Sequence, residues 1–340
     1  MNKTHQQYSS SSVAVLIPCY NEAQTVRHVI EDFRRELPQA VIYVGDNNST
    51  DQTAKIARES GAIVIRETNQ GKGNMIRRMF ADIEADIYVM VDGDATYDAA
   101  SVHAMIDLCA DENMDMVNGA RKSHETEAYR AGHRFGNWMF TTLIQKTFKS
   151  HLSDILSGYR VFSRRFVKSF PASSHGFEIE TELTVHAFSS RLPVGEVETP
   201  YGARPEGSVS KLSTYKDGMR ILGVILLLVK EERPVIFFSA ISLLMMAISV
   251  MMAIPVFYEY FAFQYIYRVP TAILTTGLMI SSLLCFATGL ILDTVSRYRT
   301  EMRRLLYLGA AGSSLPNRSL DQHTPRLAAA EESHEKTRAA

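Results

Sequence analysis

Two aspartates one residue apart, Asp92 and Asp94, directly follow an apolar run at residues 87–91, with Gly93 between them. Two carboxylates at this spacing can turn toward one hard cation. Mg²⁺ and Mn²⁺ take few protein carboxylates and complete their shells with water and phosphate oxygens. Taken alone, such a pair is common in solvated turns. Its position after a predicted strand favours a divalent-metal site formed by Asp92 and Asp94.

A second polar segment, residues 70–73, precedes a stretch with helical spacing. Its glycines let the backbone approach a ligand closely, and Lys72 supplies a positive charge for phosphate or ribose oxygens. The spacing differs from that of a P-loop, and an ordinary turn at a helix start explains the segment equally well. Asp46, after another apolar run, could accept hydrogen bonds from a nucleobase or form an Asx turn through Asn48 and Ser49.

The elements that position these residues follow from the spacing of apolar side chains. Apolar runs predict strands, and a period near 3.6 residues predicts helices. Strands are predicted at 13–17, 41–44, 62–65 and 87–91, and helices at 25–37, 51–60, 73–85, 132–149 and 178–190. This alternation predicts an α/β fold with a parallel sheet, in which ligands bind beyond the carboxyl ends of the strands. The polar clusters at 18–22, 45–51 and 92–98 should therefore converge on one crevice.

Two runs without a charged side chain, residues 234–258 and 269–292, lie near the end of the chain. Each has about the length that a helix needs to cross a bilayer, roughly 20 residues. Cations precede the first run and follow the second, at Lys230, Arg233, Arg297, Arg299, Arg303 and Arg304. The positive-inside tendency predicts an integral protein of the cytoplasmic (inner) membrane with both termini and the catalytic part in the cytoplasm.

The composition narrows the class of protein further. Apolar residues make up 46% of the 340 residues, and the net charge is -1, so the chain has no basic excess for binding nucleic acid. The three cysteines, Cys19, Cys109 and Cys285, are scattered and indicate neither a disulfide framework nor a zinc site. The polar, serine-rich start of the chain is unlike a signal peptide.

The domain organisation predicted from these patterns has five parts. A disordered N-terminus at 1–12 precedes a catalytic domain at 13–212, a juxtamembrane helix lying in the membrane interface at 213–233, two transmembrane helices at 234–294 and a cytoplasmic, largely disordered tail at 295–340. Small residues at 287–289 could pack against a second copy, so a homo-oligomer is possible.

Four ordered segments together resemble glycosyltransferase family 2. They are residues 15–22, 44–51, 71–73 and 92–94. The resemblance implies a GT-A (nucleotide-diphospho-sugar transferase) fold and a nucleotide-sugar donor. It implies contacts with that donor from Pro18, Tyr20, Asn21, Glu22, Asp46, Lys72, Asp92 and Gly93. It also implies that Asp92 lies at the ribose or diphosphate and that Asp94 is the main ligand of the Mg²⁺ or Mn²⁺.

Two later segments, residues 154–162 and 204–212, are similar to dolichyl-phosphate mannose synthases and their bacterial polyprenyl-phosphate relatives. This likeness implies a polyprenyl-phosphate lipid as the acceptor. Its phosphate would be bound by Arg121, Arg134, Arg204 and Lys211. Arginine suits bidentate phosphate contacts, although each of these residues could instead be a surface cation, and Lys211 a membrane anchor.

Some residues depart from the pattern of these relatives. Thr96 stands where the mannose synthases often have glutamine. Gly158 stands where some two-helix relatives have an acidic residue proposed as a base, so Asp154 does not simply inherit that catalytic role. Glu180 or Glu182 could orient the acceptor site, but acidic residues also favour any helix N-terminus, which is the preferred explanation for two of the three glutamates at 178, 180 and 182.

The predicted function is metal-dependent, inverting transfer of one sugar from a UDP- or GDP-linked hexose to undecaprenyl or dolichyl phosphate. A processive polysaccharide synthase is a rival, but such enzymes usually carry Gln-x-x-Arg-Trp, and the one tryptophan here is Trp138 in another context. A membrane-tethered nucleotide-binding protein without turnover is a second rival. It would have no need of arginines near the membrane.

Overall fold

The computed structural model describes residues 12–122, 141–142, 145, 151–172, 174, 176, 178–202, 223, 226–227 and 229–310. The chain divides into two compact units, Met1–Ile221 with Leu305–Ala340, and Leu222–Arg304. We call the first the α/β unit and the second the helical unit. The predicted helix at 132–149 and most of the predicted interfacial helix at 213–233 lie outside the described residues.

Within the described residues, seven strands form one sheet in the α/β unit. They are β1 (Val13–Cys19), β2 (Val41–Asp46), β3 (Ile63–Arg66), β4 (Ile87–Met90), β5 (Met116–Lys122), β6 (Arg160–Ser163) and β7 (Val194–Pro200). Their order is β3-β2-β1-β4-β6-β5-β7. The first four strands are parallel, as predicted. β6 is antiparallel to β4 and β5, which makes the sheet mixed rather than parallel.

The predicted sheet needs correction in its last three strands, β5, β6 and β7, which were not predicted and of which β6 is antiparallel to its neighbours. The alternation of strands and helices covers only the first four strands, and each of those is joined to the next by a helical crossover. The connection into β6 is irregular over the described residues 151–159, so nothing in the periodicity fixed its direction. β1 also continues through Pro18 to Cys19, two residues past the predicted end.

The helices of the α/β unit pack their apolar faces on this sheet. They are α1 (Val26–Glu36), α2 (Thr53–Glu59), α3 (Lys72–Asp82), α4 (Val102–Asp111), α5 (Arg164–Ser169) and α6 (Ile179–Ser189). In α1 the buried residues Val26, Val29, Ile30 and Phe33 recur at the spacing of one helix face. They join β1 side chains such as Val15 and Ile17 in the core. α1, α2, α3 and α6 lie within one to three residues of the predicted bounds, whereas α4 and α5 were not predicted.

The helical unit contains the long apolar helix α7 (Pro234–Phe263) and the part up to Arg304 of a second, α8 (Val269–Gly309). Both are long and apolar enough to cross a membrane. Ser242 donates to the Ser282 carbonyl at 2.9 Å, and Ser249 donates to the Thr275 carbonyl at 2.8 Å. Small residues let two helix backbones approach closely, and such hydrogen bonds join helices where water is absent.

The end of α8 differs from the predicted domain boundary at 294. The helix continues to Gly309, through a charged stretch that had been assigned to the cytoplasmic tail. Arg297 pairs with Asp293 one turn earlier, at 2.8 Å. Within the helical unit, Arg299 and Arg303 pair with Glu231 and Glu232. These ion pairs support a helix where the sequence pattern is no longer apolar.

Candidate active site

The predicted donor residues lie at the carboxyl ends of three adjacent parallel strands. β1 lies between β2 and β4, and Cys19 is in register with Asp46. The Asn47 amide donates to the Cys19 carbonyl at 2.9 Å. Thr25 donates its hydroxyl to the Gly93 carbonyl at 2.6 Å, which ties the loop after β4 to the start of α1. The structure therefore brings the three polar clusters to one edge of the sheet.

The loop after β1 is held by the loop after β2. Asn21, in the left-handed region at φ 53°, donates its amide to the Ser49 hydroxyl at 3.0 Å. The Asn21 side chain accepts from the Thr50 amide at 2.8 Å. The Glu22 amide donates to the Thr53 hydroxyl at 2.8 Å. Pro18, within β1, and Tyr20, in the loop that follows it, thus lie on a backbone that is held in place.

Asp46 forms a turn contact within its own loop, because one of its carboxylate oxygens accepts from the Ser49 amide at 3.3 Å. This is the Asx-type arrangement that the sequence left open beside base recognition. The next residue, Asn47, fastens the Lys72 loop: its side chain accepts from the Gly71 amide at 2.6 Å and donates to the Asn69 carbonyl at 2.8 Å. The sequence did not predict this role for Asn47. The sequence feature that pointed to it was its position in the polar segment at the end of β2.

Lys72 begins α3 and lies between two carboxylates. Gly71 precedes it at φ 134°, a conformation that favours glycine. The Lys72 Nζ is 2.5 Å from Asp92 Oδ1 and 2.5 Å from Glu180 Oε1. Its side chain is 10% exposed and that of Glu180 is 5% exposed. The three side chains form one cluster, which we call the Lys72 cluster, and Asp92 is its most exposed member at 29%.

The charges of the Lys72 cluster perturb one another. Burial lowers the pKa of Lys72, but the neighbouring Asp92 and Glu180 carboxylates outweigh it, so its pKa lies above the usual range. Burial raises the pKa of Glu180, and the Lys72 ammonium only partly offsets that effect. With both carboxylates ionised, one ammonium faces two negative charges. The cluster is therefore suited to an additional cation.

Asp94 is 4% exposed and is held by Thr96. The Thr96 hydroxyl donates to Asp94 Oδ1 at 2.6 Å, and Ala95 between them is in the left-handed region at φ 58°. In the part of the chain that the structure describes, no group of three or more acidic, histidine or cysteine residues could hold a metal. Asp92 and Asp94 nevertheless fit Mg²⁺ or Mn²⁺, because both supply hard oxygen ligands and these ions need few from the protein.

Gly158 lies directly against Asp92. A Cβ added at Gly158 would be 2.7 Å from the Asp92 Cγ, closer than real contacts allow. The Gly158 amide donates to the Tyr97 hydroxyl at 2.9 Å, so its backbone is fixed. This contact gives a physical reason for glycine where some relatives have an acidic residue: here the space is filled by the Asp92 carboxylate.

Arg121 and Asp154 form a bidentate pair. Arg121 Nε and Nη2 donate to the two Asp154 carboxylate oxygens at 2.6 and 2.9 Å. Burial raises the pKa of Asp154, but the Arg121 guanidinium more than offsets it and holds that pKa below the usual range. Asp154 is therefore an ionised partner of an arginine and poorly suited to act as a base near neutral pH. Arg121 also lies over the Tyr201 ring, 5.5 Å from its centroid.

Arg160, which sequence reasoning missed, holds the segment that carries Asp154 and Gly158. It is fully buried, and it donates to the Ile155 carbonyl at 2.7 Å, the Ser157 carbonyl at 3.0 Å and the Thr184 hydroxyl at 3.0 Å. Burial lowers its pKa to about 10. The sequence pattern that could have pointed to Arg160 is a charged residue directly followed by two apolar residues of β6. A charged side chain is buried at such a position only when it has hydrogen-bond partners.

The three glutamates at the start of α6 differ in their partners. Glu178 accepts from the Gly176 amide at 3.1 Å, and Glu182 accepts from the Ser174 amide at 2.7 Å. These are local contacts with backbone N–H groups, whereas Glu180 reaches Lys72. The other predicted phosphate ligands, Arg134, Arg204 and Lys211, lie outside the described residues, as does Trp138.

Comparison with known proteins agrees with this geometry. The sequence profile described as Glycosyl transferase family 2 matches residues 14–170. Glycosyltransferase AglJ of Haloferax volcanii is 32% identical over 305 residues, which cover 86% of this chain and 97% of that protein. The dolichyl-phosphate hexose transferase of the same organism is 27% identical over 227 residues, covering 67% of this chain and 98% of the relative.

Solved structures show the same fold. Glucosyl-3-phosphoglycerate synthase from Mycobacterium tuberculosis, in complex with Mn²⁺, UDP-glucose and phosphoglyceric acid, superposes with a TM-score of 0.55 at 21% identity. The superposition covers 66% of this chain and 82% of that one. The predicted GT-A fold and glycosyltransferase activity are confirmed. The chain belongs to glycosyltransferase family 2.

Proposed function

We propose that this glycosyltransferase transfers one hexose from a UDP- or GDP-linked donor to a polyprenyl phosphate such as undecaprenyl or dolichyl phosphate. The observation that carries the proposal is the Lys72 cluster, an excess of negative charge beside Asp94 at the strand ends. It suits a divalent cation carrying a nucleoside diphosphate. A relative named as a dolichyl-phosphate hexose transferase and two apolar helices support a lipid acceptor.

On the donor side, Asp92 and Asp94 would hold Mg²⁺ or Mn²⁺. The bound metal would neutralise charge on the leaving nucleoside diphosphate. Lys72 would contact the same diphosphate as a fixed cation. The nucleoside would lie along the last residues of β1 and β2 and the loops after β1 and β4, which together carry Pro18, Tyr20, Asn21, Glu22, Asp46 and Gly93. Positioning and charge neutralisation together would lower the barrier.

On the acceptor side, the lipid phosphate is itself the nucleophile. A phosphate oxygen, already ionised near neutral pH, would bond to the anomeric carbon while the bond from that carbon to the diphosphate oxygen breaks. Attack from the opposite side inverts the configuration and needs no protein base, which agrees with the engagement of Asp154 by Arg121. Arg121 would steady the phosphate, with Arg134, Arg204 and Lys211 proposed as further ligands from the resemblance alone.

The helical unit would anchor the enzyme in the cytoplasmic membrane. The outer ends of α7 and α8 carry the cations Lys230, Arg233, Arg297, Arg299, Arg303 and Arg304. The connection between the helices has one arginine, Arg268, which pairs with Glu259 at 2.9 Å. This asymmetry favours cytoplasmic outer ends and a cytoplasmic catalytic domain. We also propose that the apolar helices of two or more copies can associate into a homo-oligomer.

A donor screen tests the proposal. Detergent-purified protein is incubated with undecaprenyl phosphate, Mn²⁺ and each of several UDP- and GDP-hexoses, and lipid products are identified by mass. We expect a single product, the lipid phosphate plus one hexose, from one donor class, and its loss on addition of EDTA. A ladder of masses would identify a processive synthase. Absence of transfer from every donor would contradict the proposed activity.

A further inference from the structure

The Lys72 cluster contains a residue whose role the reaction outlined above does not explain. Lys72 has one carboxylate partner from the loop after β4, Asp92, and a second from α6, Glu180. Because both oxygens lie 2.5 Å from the same nitrogen, they are at most 5.0 Å (2.5 + 2.5) apart. Glu180 is therefore close to the donor site but contacts it through Lys72.

The backbone keeps Glu180 in register with Lys72. The Gly73 amide, in the first turn of α3, donates to the Gly176 carbonyl at 3.2 Å. That hydrogen bond joins the start of α3 to the segment that leads into α6. Glu180 also lies in the first turn of α6, where the Thr184 hydroxyl donates to its carbonyl at 3.0 Å. Both ends of the Lys72–Glu180 contact are thus fixed by helix backbone.

Stability alone does not explain the carboxylate of Glu180. Its second oxygen is buried and has no hydrogen-bond partner in the part of the chain that the structure describes. A buried anion with an unsatisfied oxygen costs free energy, and a neutral amide of the same shape costs less. Lys72 would retain Asp92 as a partner without Glu180. The Glu180 charge also favours the charged form of the buried Arg160 and so raises its pKa, but the cation that it contacts directly among the described residues is Lys72.

The two partners of Lys72 differ in what happens to them when a donor binds. Asp92 is one of the two carboxylates suited to the metal, and a metal would compete with Lys72 for its oxygens. Glu180 is buried and is not one of the proposed metal ligands, so its contact with Lys72 would remain when the metal binds. We propose that Glu180 is a positioning residue that holds the Lys72 ammonium in place for the donor diphosphate. This inference rests on the proposed function.

Nucleotide binding measures this role directly. UDP and GDP, each with Mn²⁺, are titrated calorimetrically into the full-length protein and its variants. Glu180→Gln should weaken binding of the nucleotide that the unsubstituted protein prefers by about tenfold, within the usual range for coupled neighbours. Its melting temperature should be unchanged or raised, whereas a merely structural residue would lower it.

A matched control and a double variant separate positioning from general damage. Glu178 is also buried and also has one oxygen without a partner among the described residues, but it contacts the Gly176 amide and not Lys72. Glu178→Gln should therefore leave nucleotide affinity within about twofold. In a Lys72→Met background, Glu180→Gln should add no further loss. Glu180→Asp, which keeps the charge, should recover part of the affinity.

Each outcome supports or overturns the inference. Unchanged affinity in Glu180→Gln would overturn it, as would an equal loss with and without Lys72. Equal losses in Glu180→Asp and Glu180→Gln would contradict the requirement for charge, and this comparison holds even if one variant is less stable. If the unsubstituted protein bound neither nucleotide, the donor assignment itself would fall and the inference with it, which distinguishes the two failures.

Discussion

Two buried cations of the catalytic domain are held by carboxylates in different ways. Arg121 and Asp154 form a bidentate pair in which both carboxylate oxygens accept from one guanidinium. Lys72 is shared by two carboxylates from different elements, and one oxygen of Glu180 lacks a partner among the described residues. The first arrangement joins one guanidinium to one carboxylate. The second carries a net negative charge if both acids are ionised.

This difference indicates what each region can accept. A bidentate pair holds an arginine in one orientation. A cluster with excess negative charge attracts a cation, and the divalent metal that accompanies a nucleoside diphosphate would supply one. Removing a charge or the metal from the proposed donor site should therefore lower activity. Breaking the Arg121–Asp154 pair should lower stability.

The largest effect is expected at Asp94. Asp94→Asn removes a charged metal ligand and should lower kcat/KM by about a thousandfold or more. Sugar transfer to undecaprenyl phosphate, read by mass, measures the loss. Asp86→Asn is the matched control, because Asp86 precedes the other end of β4 and accepts from Ser12 at 3.0 Å. If Asp94→Asn and Asp86→Asn lowered kcat/KM equally, the assignment of Asp94 as a metal ligand would be contradicted.

Breaking the acceptor-side pair should lower stability. Arg121→Ala removes the guanidinium that both oxygens of the buried Asp154 carboxylate contact, which should cost about 3–5 kcal/mol of unfolding free energy. Removing both partners, in Arg121→Ala with Asp154→Ala, should cost less than the single change. Chemical denaturation of the purified proteins measures both. If the double variant were the less stable one, the pair would not be a structural unit.

Gly158→Ala should affect catalysis more than stability. The added Cβ would overlap the Asp92 carboxylate and displace it, so kcat/KM should fall about a hundredfold. Gly195→Ala is the control, because its Cβ would meet Met114 at an ordinary 3.6 Å. Transfer assays and melting temperatures on both variants give the comparison. Full activity in Gly158→Ala would show that Asp92 need not occupy its present place.

Thr96→Val tests how strongly Asp94 depends on its hydroxyl partner. Losing the 2.6 Å hydrogen bond should raise the Mn²⁺ concentration needed for half-maximal activity by roughly tenfold while the fold is retained. Thr96→Ser keeps the hydroxyl and should stay near the unsubstituted value. A loss shared by both variants would implicate packing of the methyl group instead.

The smallest effect concerns pH. The folded pKa of Asp154 lies below its unfolded value, so its ionisation stabilises the fold above about pH 4, and that contribution is lost as pH falls through the folded pKa. The difference in unfolding free energy between the unsubstituted protein and Asp154→Asn should be constant above about pH 5 and narrow below about pH 4. If this difference in unfolding free energy changed between pH 6 and 8, the pairing of Asp154 with Arg121 would be contradicted.

Local patterns predicted the framework of the donor side. Apolar runs fixed β1, β2 and β4, and parallel strands necessarily bring their following loops to one edge, so Asp46 and Asp92 could be placed without coordinates. The antiparallel direction of β6 could not be predicted, because an irregular connection imposes no handedness. The continuation of α8 to Gly309 was also missed, since charged residues there are stabilised by ion pairs rather than by apolar spacing.

Side-chain partners were harder to predict than strand ends. Glu180 and Lys72 are 108 residues apart in sequence, and a glutamate at a helix start is explained equally well by capping. Asp154 and Arg121 are 33 residues apart, and the sequence did not predict their bidentate contact. Arg160 looked like an ordinary charge beside a strand. Each of these pairings depends on tertiary packing, which no local periodicity records.

The most direct test of the account compares two acceptors that differ only in the phosphate. Undecaprenyl phosphate and undecaprenol are supplied in the same detergent with the preferred nucleotide-hexose and Mn²⁺. The lipid products are identified by mass spectrometry. The account predicts one hexose on the phosphate-bearing lipid, in a phosphodiester, and none on the alcohol. Equal transfer to both lipids, or transfer to the alcohol alone, would contradict it.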